Sequence, residues 1–341
     1  MKHQSGYAFT LLLLLAGCGG GGGGSDAPET TKFSLAISDA PVDNAEKVCI
    51  AIESLNLNQI NGTGPSWSNL DLVQTPEDDG CLPENYSIPK DSNGNPKFLY
   101  LDLLNYQNGS TFALLSNQLI ASGDYGQLRL TVSDGRDETL TDLTGGVTDH
   151  PTSYVKTSSG VLPLYVPSSA VKLHPFNAPI GGELKYQLEF NLRHSLVFPG
   201  TADHYKLKPN GVKLLDVATL SRITGTVSDS YCNNDLTNAG VYLYDNDVAQ
   251  ENYQGIDYDS EHNGPIAASS ITDGSYTLHF IEPDSYKVVL VCNAADDDLT
   301  DDGNSFDFTP EVGADEIPVA VPTPTNTETN NVITINIPVA S

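Results

Sequence analysis

Apolar side chains recur at every second position along most of this chain, and no stretch sustains the 3.6-residue spacing of an amphipathic helix. A period of two places alternate side chains on opposite faces of an extended strand, so the pattern calls for sheets with one face buried. Strands are predicted at Phe33–Ile37, Val48–Leu57, Phe98–Leu103, Leu128–Val132, Val161–Val166, Val171–Leu173, Leu184–Leu192 and Tyr205–Val217. Thr111 to Ala121 fits either a short helix or two β-pieces, and Ser133 to Gly160 reads as a long polar excursion. A second block follows, with β-rich runs at Ile223–Val227, Ala239–Tyr244, Ile271–Leu278 (where Asp273-Gly274 is a hairpin-type turn signal), Tyr286–Val291 and Val332–Ile337. Short strands separated by turn signals predict an all-β protein built of two sandwich-like domains. One echo links the blocks: Gly123-Asp124-Tyr125 and Asp284-Ser285-Tyr286 both deliver a tyrosine to the start of a strand. Its ring there can cap a core while its hydroxyl reaches the backbone.

The start of the chain has another character. Lys2 and His3 precede an apolar run, Tyr7 to Leu15, interrupted only by Thr10. The run is too short to span a bilayer and has the length of a secretory signal's hydrophobic region. Leu15-Ala16-Gly17-Cys18 then resembles the lipobox of bacterial lipoproteins. The resemblance implies that Cys18 carries a diacylglyceryl thioether and becomes the acylated mature N-terminus. A short buried helix with an incidental cysteine is the competing reading; the glycine run Gly19–Gly24 disfavours it, because such runs are flexible linkers. Gly19 stands where resembling lipoproteins retained in the inner membrane carry aspartate, so the expected location is the outer membrane, lipid-anchored, facing the periplasm or the surface.

Of the five cysteines, setting Cys18 aside leaves Cys49, Cys81, Cys232 and Cys292. The simplest pairing is Cys49–Cys81 with Cys232–Cys292, which keeps each bridge within one block; four buried free thiols are the alternative. None has the close spacing of zinc or redox sites. The net charge of −28 repels phosphate backbones, and no basic stripe interrupts it, which argues against nucleic-acid binding.

Between Phe33 and Val217 the motifs Leu35-x-Ile-Ser-Asp-Ala-Pro41, Val48-x-Ile-x-Ile52, Leu101-Asp-Leu-Leu104, Gly123-x-Tyr-x-Gln-Leu-Arg-Leu130, Val166-Pro-Ser168, Phe190-Asn-Leu192 and Lys206-Leu-Lys-Pro209 occur in order. Together they resemble the bacterial lipoprotein family labelled domain of unknown function 4382; Asn191 stands where that family often has aspartate. From Arg222 onward, Gly225-Thr-Val227, Ala239–Tyr244, Thr272-Asp-Gly-Ser-Tyr276 and Pro283–Tyr286 resemble transthyretin-like and carboxypeptidase-regulatory-like β-sandwiches, which implies a spacer, folding aid or ligand-binding module. The chain then divides into a signal peptide (1–18), a Gly-rich tether (19–31), an N-terminal β-domain (32–217) and a C-terminal immunoglobulin- or transthyretin-like sandwich (218–341).

No nucleophile elbow, zinc-protease helix or phosphate-binding glycine loop occurs, and no catalytic residue is assigned. His194-Ser195, read as strand neighbours, would point to opposite faces and could not partner. Asp296, Asp297, Asp298, Asp301, Asp302 and Asp307 crowd one segment. Thr309 replaces the glutamate that a helix-loop-helix calcium loop would need, so a solvated acidic loop comes first and a calcium site second. Asp39-Ala40-Pro41 is first a turn. The expected function is binding or presentation of a glycan, matrix component or envelope protein. An exposed line of aromatic residues among Tyr242, Tyr244, Tyr253 and Tyr258 would support a glycan, although Tyr242 and Tyr244 share a face and have a core placement as their alternative. A fold-assembled hydrolase using His150, His174, His194 or His204 with carboxylates is the first alternative, and a subunit of a surface assembly is the second.

Overall fold

The computed structural model describes residues 29–39, 45–68, 79–145, 149–167, 170–198, 203–255, 263–297, 317–324 and 331–337. Cys18, His262, Tyr258 and the acidic residues Asp298, Asp301, Asp302 and Asp307 lie outside them. The protein is all-β, with a single four-residue α-helical turn, Leu192–Ser195, among the described residues.

The first two sheets take their strands from residues 30–216 and pack face to face. One is four-stranded, in the order Val212–Asp216, Glu183–Phe190, Thr30–Asp39, Phe112–Ala121, and its opening strand runs parallel to Glu183–Phe190. The other is ten-stranded around Lys47–Gln59, which pairs with Gly123–Val132 through Leu55↔Leu130 and Leu57↔Leu128. Alternation fills the space between them. Phe33, Leu35 and Ile37 point in from one sheet, and Ile50, Ile52, Leu128, Leu130 and Val132 from the other. Cys49 and Ala51, between these positions, are buried on the opposite face beneath Cys81, Phe98, Tyr100, Leu140 and Tyr154. The expected polar excursion supplies part of that cover: it contains the strands Thr141–Asp142 and Tyr154–Thr157, and Leu140, Tyr154 and Val155 go inward while Leu143 is exposed. Thr111 to Ala121 resolves as one strand, Phe112–Ala121, and Tyr205 to Val217 as two, Tyr205–Leu207 and Val212–Asp216, split by a 3₁₀ turn at Pro209–Gly211.

The remaining two large sheets draw on residues 221–334. Ser221–Thr226 lies between Ser275–Ile281 and Asn331–Thr334, parallel to the latter. Gly240–Asp245 and Ser285–Val291 form the middle of the facing four-stranded sheet, and Ile223, Leu243, Leu278, Val288 and Leu290 fill the gap. The tyrosine echo has a structural counterpart. Tyr125 donates from its hydroxyl to the Ala121 carbonyl (2.8 Å), and Tyr286 to the Glu282 carbonyl (3.0 Å), each four residues upstream. Both rings are buried, so each is a tyrosine corner that pins the start of a strand to the preceding turn.

Both disulfides are present with the expected connectivity, Cys49–Cys81 and Cys232–Cys292. Cys49, Cys81 and Asp102 cluster closely, but the two sulfurs are bonded to each other and offer no thiolate to a metal. Asp102 instead accepts from the Val48 and Leu104 amides (3.1 and 3.3 Å).

Candidate functional site

Among the described residues, chemistry-bearing side chains from both pairs of sheets converge in a cleft organised by two backbone devices. The first is a turn. Asn108 and Gly109 both have positive φ (54° and 82°), and Ser110 N–H donates to the Gln107 carbonyl (3.0 Å), the geometry of a tight Asn-Gly turn. Asp39, the last residue of the opening strand, holds it in place. Its buried carboxylate accepts from Gln107 Nε2 (3.0 Å) and from the Leu192 amide (3.3 Å). Asp39 thus does more than end a strand. Gly109 rests on the His279 ring of the second unit: a Cβ there would lie 2.3 Å from Nδ1.

The second device is a β-bulge. Ser221 pairs with Ile281 and Ile223 with Leu278, so His279 and Phe280 together oppose Arg222. Phe280 has φ of 60°, a conformation that costs a bulky residue of order 1–3 kcal/mol and clusters at functional sites. The bulge turns His279 and Phe280 towards the cleft.

Two lobes result. The inner one, bordered by Asp39, Asn108, Glu189, Thr277 and His279, holds about 20 Å³, room for a water or so. The outer one holds about 220 Å³ between Val217, Leu220, Ser221, Arg222, Phe280 and Asn331. His279 borders both. Burial pushes its imidazole below the ordinary range, and the Arg222 charge adds to that, so it is neutral at neutral pH. Glu189 is pushed up to about 7, chiefly by burial; Lys213, directly across the strand pair, opposes the shift and Glu282 of the second unit adds to it.

The pH dependence that follows has a definite sign. Between 4.5, the ordinary value, and about 7 the folded chain holds the Glu189 proton that the unfolded chain releases. Stability therefore falls as pH rises through that window and levels off above it. Glu189→Gln should remove that decline and gain about 2 kcal/mol at pH 8 relative to pH 4.5, read from melting curves at both pH values. Parallel pH profiles for the two proteins would disprove the assignment.

The residues singled out from sequence stand elsewhere. His150 lies between the Tyr86 and Tyr154 rings (5.4 and 4.8 Å) with Nδ1 3.0 Å from the Pro151 carbonyl. His204 pairs with the neighbouring Asp203 (2.9 Å), and His174 is exposed. His194-Ser195 is not a strand pair: it lies in the helical turn, where Ser195 Oγ donates to the Asn191 carbonyl (2.7 Å). Tyr242, Tyr244 and Tyr253 are buried, not a glycan-facing line, and the Tyr244 and Tyr253 rings stack at 4.0 Å. Tyr242 donates to Asp297 (2.7 Å), which is itself buried, while Asp296 is exposed. The cleft residues Glu189, His279 and Arg222 were missed because each sits singly in a strand pattern. Only Asn108-Gly109 carries a local turn signal.

A family model described as "Domain of unknown function (DUF4382)" matches residues 30–209. No curated protein matches the chain. Among solved structures, the Bacillus anthracis TIE protein is similar at 10% identity and TM-score 0.19, over 90% of this chain and 33% of that one. The chain thus spans about a third of that protein. The major pilin subunit BcpA of Bacillus cereus (10% identity, TM-score 0.18, 90% and 69% covered) and a putative adhesin from Bacteroides ovatus (11%, 0.16, 95% and 99%) are similar in the same degree. At such scores these likenesses carry no argument about what the chain does.

Proposed function

Because the chain belongs to the DUF4382 family, whose description assigns no activity, we propose from its own residues that it is a lipid-anchored cell-envelope protein with a non-catalytic binding role. Cys18 carries the lipid at the outer membrane, the glycine run holds the folded part away from the bilayer, and the transthyretin-like second unit completes the ligand site. The observation that carries this reading is the cleft, whose walls come from both units and whose shape depends on a strained bulge and a Gly-only contact. Binding is favoured over catalysis by the division of the lobes. The carboxylates Asp39 and Glu189 border a space with room for about one water, out of a substrate's reach. Ser195, His150 and His204 are engaged in local structural contacts.

Two experiments test this. Cys18→Ser should abolish labelling by radioactive palmitate and move the protein into the soluble fraction; unchanged membrane attachment would sink the anchor. Immobilised full chain should retain envelope glycans or peptides, and Val217→Trp, placed at the half-exposed rim of the outer lobe, should release them. Retention indifferent to that substitution would remove the cleft from the function.

An assembly role has one observation behind it. Phe112–Ala121 is a ten-residue edge strand with Leu119 exposed. Its pairing with the opening strand is bulged, however, which is how proteins blunt an edge against addition of another strand.

A further inference from the structure

Arg222 is out of place in this molecule. The chain has 44 acidic residues against 16 Lys and Arg, so an arginine should find a carboxylate easily. Arg136 does so, gripping Asp134 through Nε and Nη2 (3.1 and 2.9 Å). Arg222 does not: its Nε is buried without a hydrogen-bond partner, and no ion pair reaches it among the described residues. A buried donor left unmade carries its full desolvation cost, and no hydrogen bond or ion pair engages the rest of the Arg222 guanidinium among the described residues. Arg222, opposite the bulge, borders the outer lobe together with Phe280 and the apolar Val217 and Leu220. Ser221 Oγ accepts from Asn331 Nδ2 (2.9 Å), and Arg222 is the one side chain bordering the lobe with a full positive charge.

We propose that the outer lobe is a carboxylate-binding subsite in which Arg222 receives the acid group of an organic ligand and Phe280 flanks its apolar or ring portion. The inference deepens the binding role proposed above and rests on it. A guanidinium fork matches the two oxygens of a carboxylate, and the surrounding low dielectric strengthens the pair. A dianion such as phosphate fits less well. One cation faces it there, and the molecule's net charge of −28 repels two charges more than one. The lobe's 220 Å³ accommodates a group of about monosaccharide size, so an acidic sugar residue is the class that satisfies charge, ring and volume together.

The test uses the full chain and four probes in calorimetric titrations: sodium glucuronate, its neutral methyl ester, glucose and inorganic phosphate. Glucuronate should bind at least about tenfold more tightly than the ester, glucose or phosphate. Arg222→Gln should erase that preference, while Arg222→Lys retains charge but loses the fork and recovers only part of it. Because removing a buried unpaired donor relieves a cost, Arg222→Met should melt no lower than the wild type without ligand, and Val217→Trp provides a second block that leaves the core untouched. Equal binding of glucuronate and glucose, or a preference that survives Arg222→Gln, overturns the carboxylate subsite while leaving a binding cleft. Failure of the immobilised wild-type chain to retain any envelope glycan or peptide would instead remove the binding role itself.

Discussion

Replacing both Cys49 and Cys81 by alanine is expected to lower stability by about 3–4 kcal/mol, the loop-closure value for a bridge spanning 32 residues. For a unit of this size that is roughly 8–14 °C in melting temperature. The location adds to the effect. Both cysteines are fully buried in the small core on the outer face of the ten-stranded sheet, with Phe98, Tyr100 and Tyr154. Tyr154 also donates to the Cys81 carbonyl (2.7 Å), so the bridge holds an acceptor for a buried hydroxyl as well as a loop. Thermal melts with and without reductant would measure it. A shift under about 2 °C would mean that the cover stays folded without its cross-link.

Gly225→Ala should cost at least as much, for a steric reason. Gly225 lies in the middle strand of its sheet, and a Cβ there would meet the Ile335 carbonyl oxygen at 1.6 Å and the Tyr276 ring at 2.7 Å. Backbone cannot yield by that distance, so the final strand must leave. With it go the bonds from Ile335 N to Thr224 O and Ile337 N to Thr226 O (2.8 Å each), the Tyr276 hydroxyl bond to Ile335 O (2.7 Å) and the burial of Ile337. A loss of 3 kcal/mol or more is expected. Gly94→Ala is the control: its φ of +87° strains alanine, but nothing lies within 4 Å, and about 1–2 kcal/mol should suffice. Hydrogen exchange at the Ile335 and Ile337 amides would report the departure of the last strand. If Gly225→Ala cost no more than Gly94→Ala, the close approach would be disproved.

What was legible in the sequence followed from local chemistry. Alternation at Phe33, Leu35 and Ile37 and at Leu128, Leu130 and Val132 marked core faces correctly, and both tyrosine turns were readable from three residues each. Where two faces are buried, alternation disappears. Val48–Ile52 and Val241–Tyr244 are apolar on both sides, and so Tyr242 and Tyr244 could not be told from a surface line. The cleft was beyond local reading because its members are brought together by a bulge and by contact between distant segments: Asp39 with Gln107, Gly109 with His279, Arg222 with Phe280. A bulge leaves no mark on a period-two pattern except a single residue out of phase.

The parallel pairings have a consequence for when this protein can fold. The opening strand sits at the middle of its sheet, and its parallel partner aligns Lys32 with Glu183; in the second unit Arg222 aligns with Val332, close to the last residues. Each pair of sheets therefore begins with a strand whose parallel neighbour is synthesised late, more than a hundred residues downstream. While the chain emerges from the ribosome, Thr30–Asp39 has only Phe112–Ala121 to pair with, and Ser221–Thr226 only Ser275–Ile281. Pairings this far apart in sequence close slowly. Truncation before Glu183 or before Asn331 would leave an unmatched strand edge exposed, so a chain cut short should be open to proteolysis rather than accumulate as a folded fragment.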